Sequence, residues 1–149
     1  MQKRDYLALF LIAVCALFFG YKLAQGLGDS GHVATSTAGV DWDVFTQKME
    51  QQSADDHDLY LIAQQWEWTP QLELKAGVQY RLHIASRDIQ HGFHLEKSAT
   101  GMPIDILLQP ERVYILPLKI EQEGQYAIGC TQYCGIAHNK MRGYLVVRK

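Results

Sequence analysis

Basic runs are missing from this sequence. Its 14 Lys and Arg are scattered among 16 Asp and Glu, giving a net charge of −2 and a pI near 6.3. A nucleic-acid binder gathers its cations into one run or onto one face, so that class is excluded. Internal repeats and long low-complexity tracts are absent too, which leaves out solenoids and disordered arrays. Cysteine is scarce: there are three, an odd count. Cys15 sits in an apolar segment far from the other two, so Cys130 and Cys134 are the single candidate pair. Only one long apolar run occurs. At 149 residues the chain suits one compact domain plus an appendage.

That apolar run fills residues 7–24, behind Lys3 and Arg4, and is interrupted only by Lys22 near its end. As a helix it would span about 27 Å, near the thickness of a bilayer core. Lys22 can extend its stem to the interface. A cleaved signal peptide is the rival reading, but Ala24-Gln25-Gly26 is a poor cleavage site. A lipoprotein reading fails because Val14 precedes Cys15 and the apolar run before it is too short. Residues 1–24 are therefore expected to be a single-pass anchor in the plasma or inner membrane. Lys3 and Arg4 place its N-terminus on the cytoplasmic side and the rest of the chain outside.

Residues 25–56 read as a linker followed by a short amphipathic helix. The stretch 25–40 is rich in Gly, Ser, Thr and Ala without apolar periodicity. From 41 to 54, Asp41 can cap a helix whose Trp42, Phe45 and Met49 fall on one face. That face is expected to pack on its own domain, because the polar face is not basic enough for a membrane surface. From Leu59 the period changes to two. Leu72 and Leu74 alternate with polar residues, Ala76-Gly77 breaks the run, and Val78, Tyr80, Leu82 and Ile84 form a half-buried strand. A strand from Val113 ends at Pro117, which belongs on a sheet edge. Two more strands follow, at 125–130 and 143–148. Short strands separated by turn signals over 57–149 indicate an antiparallel, all-β sandwich.

The chemistry gathers in Cys130-Thr-Gln-Tyr-Cys134-Gly-Ile-Ala-His138-Asn-Lys-Met141. Thiolate and thioether together select copper, and imidazole suits it. Zinc sites rarely recruit Met. A blue-copper site uses one Cys, two His and a weak axial Met, so a second Cys is one thiolate too many for it. Two thiolates can bridge two copper ions, each then needing its own terminal imidazole. His138 can be one. The other must come from elsewhere, and Asp88-Ile-Gln-His91-Gly-Phe-His94 offers either His91 or His94.

Cys-x-x-x-Cys-Gly-x-x-His-x-x-Met behind an upstream Asp-x-x-His resembles the dinuclear copper (CuA) domain of cytochrome c oxidase subunit II. The resemblance covers about 59–149 and is strongest to the one-helix subunit II of B-family heme-copper oxidases, which share the His-Gly-Phe-His wording. It implies a Greek-key cupredoxin fold. It implies that Cys130 and Cys134 bridge the coppers, with His91 and His138 as terminal imidazoles. Met141 would be the weak thioether ligand and Gln132 a ligand through its backbone carbonyl. His94 would then lie outside the ligand set, as would His32, His57 and His83, which are expected to be solvated. Many relatives carry Glu where Gln132 stands, and that carboxylate also binds magnesium. Gln132 keeps the carbonyl but lacks the charged oxygen a hard cation favours.

Trp66-Glu67-Trp68 reads as core packing for one ring and surface cover for the other. The resemblance assigns Trp66 as the point where electrons enter from the donor. It also implies the partners: a heme-bearing subunit I, and cytochrome c or a small copper protein as donor. Oxygen reduction would take place in the partner, because nothing in this sequence offers a heme or oxygen site. Three other readings remain. A membrane-tethered copper carrier would favour exposed ligands. A stand-alone blue-copper electron carrier is opposed by the second Cys. A quinol oxidase subunit would lack the ligands altogether. A plain disulfide between Cys130 and Cys134 suits an oxidising compartment, but it leaves the spacing of His138 and Met141 without a purpose.

Overall fold

The computed structural model describes residues 3–28 and 34–149, with side chains from 5–6, 9–24 and 34 onward. The chain divides into two compact units, Met1–Gly31 and His32–Lys149. The described part of the first is one helix, α1 (Lys3–Gly28). Apolar side chains stand exposed along it, among them Phe10, Leu17 and Phe19. Among the described residues no helix is long and apolar enough to cross a membrane. The expected span opens on Leu7 and Ala8, whose side chains lie outside the described set. The helix is therefore present where the sequence predicts it, without a demonstrated span.

The second unit is a sandwich of two five-stranded sheets. In chain order its elements begin with β1 (Thr35–Ala38), α2 (Trp42–Gln51), β2 (Asp58–Gln64), β3 (Glu67–Thr69) and β4 (Leu72–Lys75). Next come β5 (Gln79–Ser86), β6 (His91–Leu95), the single turn α3 (Lys97–Thr100) and β7 (Ile104–Leu108). The chain ends with β8 (Arg112–Lys119), β9 (Gly124–Cys130) and β10 (Arg142–Arg148). One sheet runs β1-β8-β5-β2-β3 and the other β4-β10-β9-β6-β7. Most pairs are antiparallel, but β2 with β5 and β4 with β10 are parallel. The fold is the Greek-key cupredoxin sandwich.

Period-two patterning builds the core. Leu59 and Leu61 of β2, Leu82 and Ile84 of β5, and Leu116 and Leu118 of β8 turn inward from the first sheet. Phe93 and Leu95 of β6, Ile128 of β9, and Leu145 and Val147 of β10 meet them from the second. Burying such a side chain contributes roughly 1.5–3 kcal/mol over leaving it in water, and all of these are nearly inaccessible. Cys134 and Met141 belong to the same cluster. The candidate metal ligands thus sit at one margin of the main core.

α2 covers the outer face of the first sheet. Asp41 Oδ1 accepts the Val44 N–H at 3.1 Å as its cap. Phe45 is buried with Ile62 and Ala85, and its ring meets Tyr60 edge-on at 5.1 Å. The helix thus packs on its own domain through the predicted face, ending three residues earlier than the periodicity suggests. Gln52 then turns back, and its amide bonds the backbone of Tyr60.

Three expectations need correction. The stretch read as linker holds β1, which pairs with β8 from Thr35↔Ile115 to Ala38↔Arg112. All four of its residues are exposed, so backbone pairing alone makes the strand and no apolar alternation announces it. β8 does not end at Pro117 but continues to Lys119, with Pro117 opposite Arg81. Proline lacks only the backbone N–H, so a strand can run through it at the loss of one donor. His83 is not solvated. Its ring stacks on Tyr60 at 4.6 Å, and Nε2 lies 2.8 Å from Asp58. The Arg81 guanidinium and His83 together hold the Asp58 carboxyl below its usual range, against a smaller push from burial. His57 is exposed as expected, and His32 lies outside the described residues.

Candidate metal centre

Two segments supply the site. One is the loop between β9 and β10, whose ends are tied by the Cys130 N–H donating to the Met141 carbonyl at 3.2 Å. The other is β6 with the residues just before it. They are joined where the Thr131 N–H donates to the Gly92 carbonyl at 3.0 Å. The Gly92 N–H points at Cys130 Sγ, 3.4 Å away.

The donor atoms form a row. Cys130 Sγ and Cys134 Sγ are 3.7 Å apart and not bonded to each other. His91 Nδ1 lies 3.7 Å from Cys130 Sγ, and His138 Nδ1 lies 3.5 Å from Cys134 Sγ. Met141 Sδ is 3.7 Å from Cys134 Sγ, and the Gln132 carbonyl accepts from Cys130 Sγ at 3.1 Å. One imidazole therefore stands at each end of a sulfur pair, with a thioether on one sulfur and a carbonyl on the other. Among the described residues, His91, Cys130 and Cys134 bring their ligand atoms within 4.8 Å of one another. Soft thiolate beside imidazole fits copper. All six residues singled out in the sequence converge here.

Burial is uneven along the row. His91, Cys134 and Met141 are at most 1% exposed, whereas Cys130 and His138 are half-buried. A cleft of about 480 Å³ opens beside the cluster, lined in part by Cys130, His138 and Met141. Cys130 and His138 are thus the thiol and imidazole on the solvent side of the row. Burial, and then the hydrogen bond with Cys130, pushes the Cys134 thiol up to about 12. A metal arriving here must displace a firmly held proton, since the thiolate is the ligand.

Strand geometry separates the two histidines that the sequence left in competition. Side chains three apart on a strand point to opposite faces. His91, Phe93 and Leu95 turn into the core, so His94 turns out. Its Nδ1 pairs across the β6–β7 ladder with Asp105 at 3.0 Å. His91→Ala is accordingly expected to lose or disturb bound copper, while His94→Ala leaves the copper absorption spectrum nearly unchanged. Equal damage from both in a copper titration would overturn the assignment.

Residues outside the sequence-predicted ligand set complete the support. Asp88 Oδ1 lies 2.8 Å from His91 Nε2, fixing the ring with Nδ1 toward the sulfurs. Burial alone would raise the Asp88 carboxyl, but the Gln65 N–H, the His91 ring and the Ile89 N–H outweigh it and hold it low. Trp66 Nε1 and Gln65 Nε2 both donate to the Cys134 carbonyl, at 3.0 and 2.6 Å. Of the paired tryptophans, Trp68 is the core ring, edge-on to Phe93 at 5.6 Å, and Trp66 is the half-buried one. The Asp-x-x-His spacing could have flagged Asp88 as a partner of His91. Nothing local in the sequence marks Gln65.

No family model matches the chain. In overall shape it is similar to a chain of a heme-copper terminal oxidase dimer solved by cryo-EM, with a TM-score of 0.59 at 22% identity, covering 98% of this chain and 99% of that one. It is also similar to the periplasmic domain of subunit II of cytochrome oxidase (CoxB) of Bradyrhizobium japonicum, with a TM-score of 0.52 at 15% identity over 66% of this chain and 87% of that one. These likenesses concern the fold. In sequence, cytochrome c oxidase subunit 2 of Thermus thermophilus is 30% identical over 109 residues, covering 72% of this chain and 78% of that protein. A second cytochrome c oxidase subunit 2 of the same species is 30% identical over 109 residues, and the match spans 62% of its length. The chain belongs to the cytochrome c oxidase subunit 2 family.

Proposed function

We propose that this chain is the electron-accepting subunit of a terminal respiratory oxidase and carries a dinuclear copper (CuA) centre. The observation that carries the proposal is the sulfur pair with one imidazole at each end. Cys130 and Cys134 would bridge the ions, with His91 and His138 terminal, Met141 weakly bound and the Gln132 carbonyl completing the set. Such a centre takes up and releases one electron at a time. The protein's part is to hold the donors still. Cys134 and Met141 are anchored in the sandwich core, and Asp88 fixes His91. Ligands fixed in this way change little when the charge on the centre changes. Burial of three of the donors supports an electron-transfer role over the copper-carrier reading, which calls for exchangeable ligands.

The donor would be a cytochrome c or a small copper protein, and the acceptor heme in a separate subunit I, where oxygen is reduced. Residues 1–24 would be the anchor in the lipid bilayer, with this domain on the periplasmic or outer face. The apolar run of α1 and its exposed Phe10, Leu17 and Phe19 support that reading. Gln132 argues against a magnesium ion at this position.

Copper analysis and electron paramagnetic resonance of the full chain test the proposal. Two coppers per chain are expected, with hyperfine structure from one unpaired electron shared over both nuclei. One copper, or none with Cys130 and Cys134 oxidised to each other, would reject it.

Trp66 would be where electrons enter. Its indole N–H donates to the Cys134 carbonyl, so it can couple a donor to the centre without binding metal. Trp66→Ala is expected to leave copper content, spectrum and potential near normal while slowing reduction by the donor in stopped-flow measurements. Truncating a well-packed Trp costs about 3–5 kcal/mol, and less for a half-buried ring, so a thermal melt must accompany the kinetics. An unaltered rate in a folded variant would sink the assignment.

A further inference from the structure

Gln65 is on the surface, yet both of its hydrogen-bonding ends are committed inward. Its backbone N–H donates to Asp88 Oδ2 at 2.8 Å, and the other oxygen of Asp88 holds His91 Nε2. Its side-chain amide donates to the Cys134 carbonyl at 2.6 Å. One residue just beyond the end of β2 therefore reaches both segments of the metal centre: the histidine segment through Asp88 and the thiol loop through Cys134. Ordering an exposed Gln side chain costs up to about 2 kcal/mol of rotamer freedom. A surface amide would ordinarily take water instead.

The surroundings fit an amide held in place. Gly135 follows Cys134 with φ +114°, a conformation that favours glycine. A Cβ added there would lie 3.0 Å from Gln65 Nε2 and 3.3 Å from the Trp66 ring. With Trp66 Nε1 on the same oxygen, two donors occupy the Cys134 carbonyl and fix the peptide plane between Cys134 and Gly135. The Cys134 side chain hangs from that plane. Its sulfur is the one that faces Cys130, His138 and Met141 together.

We infer that Gln65 is a positioning residue of the metal centre: its side-chain amide fixes the Cys134 backbone and, through it, the thiolate shared by the two coppers. The inference rests on the two-copper reading above for its metal consequences, but not for its effect on the loop. Without the amide, the Cys134 sulfur is free to drift toward one metal, and the two copper environments become unequal.

The test uses the full chain and two substitutions. Gln65→Met keeps the length and removes the N–H donor, while Gln65→Lys restores a donor of similar reach. Both replace an exposed side chain, so the core is left alone. In the copper-free chain, amide hydrogen exchange across 131–137 should rise about five-fold in Gln65→Met, the loss of one net hydrogen bond, with Leu82 and Leu116 unchanged. In the copper-loaded chain, Gln65→Met should keep both ions. Its hyperfine couplings should become unequal, and copper should pass to a Cu(I) chelator about five times faster. Gln65→Lys should return each readout toward that of the unmodified chain. Parental exchange and release in Gln65→Met would overturn the inference, as would a Lys variant as perturbed as the Met variant. If the unmodified chain binds a single copper, the two-copper reading falls. The copper-free exchange then decides the role of Gln65 alone, a rise supporting it and no rise overturning it.

Discussion

Replacing Cys134 with serine is expected to take the chain from two bound coppers to one or none. The shared-electron signal should be lost with them. Its place in the row is central: Cys134 Sγ is within 3.7 Å of the Cys130 sulfur, the His138 Nδ1 and the Met141 sulfur. A hydroxyl is a harder ligand with little affinity for copper beside thiolate, and it sits on a shorter bond to carbon. The residue is 1% exposed, so water cannot take its place. Met141→Leu gives the contrast. There the thioether touches one sulfur, and copper should remain bound while the potential moves. Metal analysis and paramagnetic resonance on both variants read the difference. Two coppers retained by Cys134→Ser, with copper lost from Met141→Leu, would reverse the roles assigned to the two sulfurs.

Gly92→Ala is expected to be nearly as damaging, without touching a ligand. A Cβ at this position would collide with Thr131 Oγ1 and lie 2.7 Å from the backbone nitrogen of Gln132. A side-chain oxygen can swing away, but the backbone of the loop cannot do so without moving its ligands. The bond from Thr131 N–H to the Gly92 carbonyl and the contact of Gly92 N–H with Cys130 would open together. Overpacking of this kind costs about 1–3 kcal/mol, and the upper end is expected because the obstacle is main chain. A denaturant melt of the copper-free protein should show that loss, and copper should bind more weakly by at least ten-fold. A variant with unaltered stability and affinity would mean that the loop has slack the structure does not reveal.

The metal loop was legible because its ligands lie within twelve residues on one hairpin, where spacing stands in for geometry. The strands β4, β5 and β9 were legible through period-two burial, and α2 through its three-and-four spacing. His91 could have been chosen over His94 from strand parity, once Phe93 and Leu95 were taken as core. Other features had no local signature. β1 has four exposed residues and exists through pairing with a strand some 75 positions later. Gln65 meets Cys134 across 69 positions, and Gly92 meets Thr131 one step beyond the β6–β9 pairing. His83 looked solvated because its partners, Asp58 and Tyr60, come from a neighbouring parallel strand. Single-sequence patterns record which face of an element is buried, not which distant atom waits there.

The place of β10 bears on how the protein is made. It is the last strand in chain order, yet it lies inside its sheet, between β9 and β4. β4, synthesised some 70 residues earlier, has no other hydrogen-bonded strand among the described residues. Until β10 emerges, β4 lacks its partner strand and the second sheet stays unfinished. Cys130 and Cys134 are already out by then, with no strand yet following to close the loop that holds them. During that interval the thiols are open to oxidation, and copper arriving early would meet loose ligands. On the copper reading proposed above, metal should therefore be loaded only after β10 has joined the sheet, with the thiols kept reduced until then.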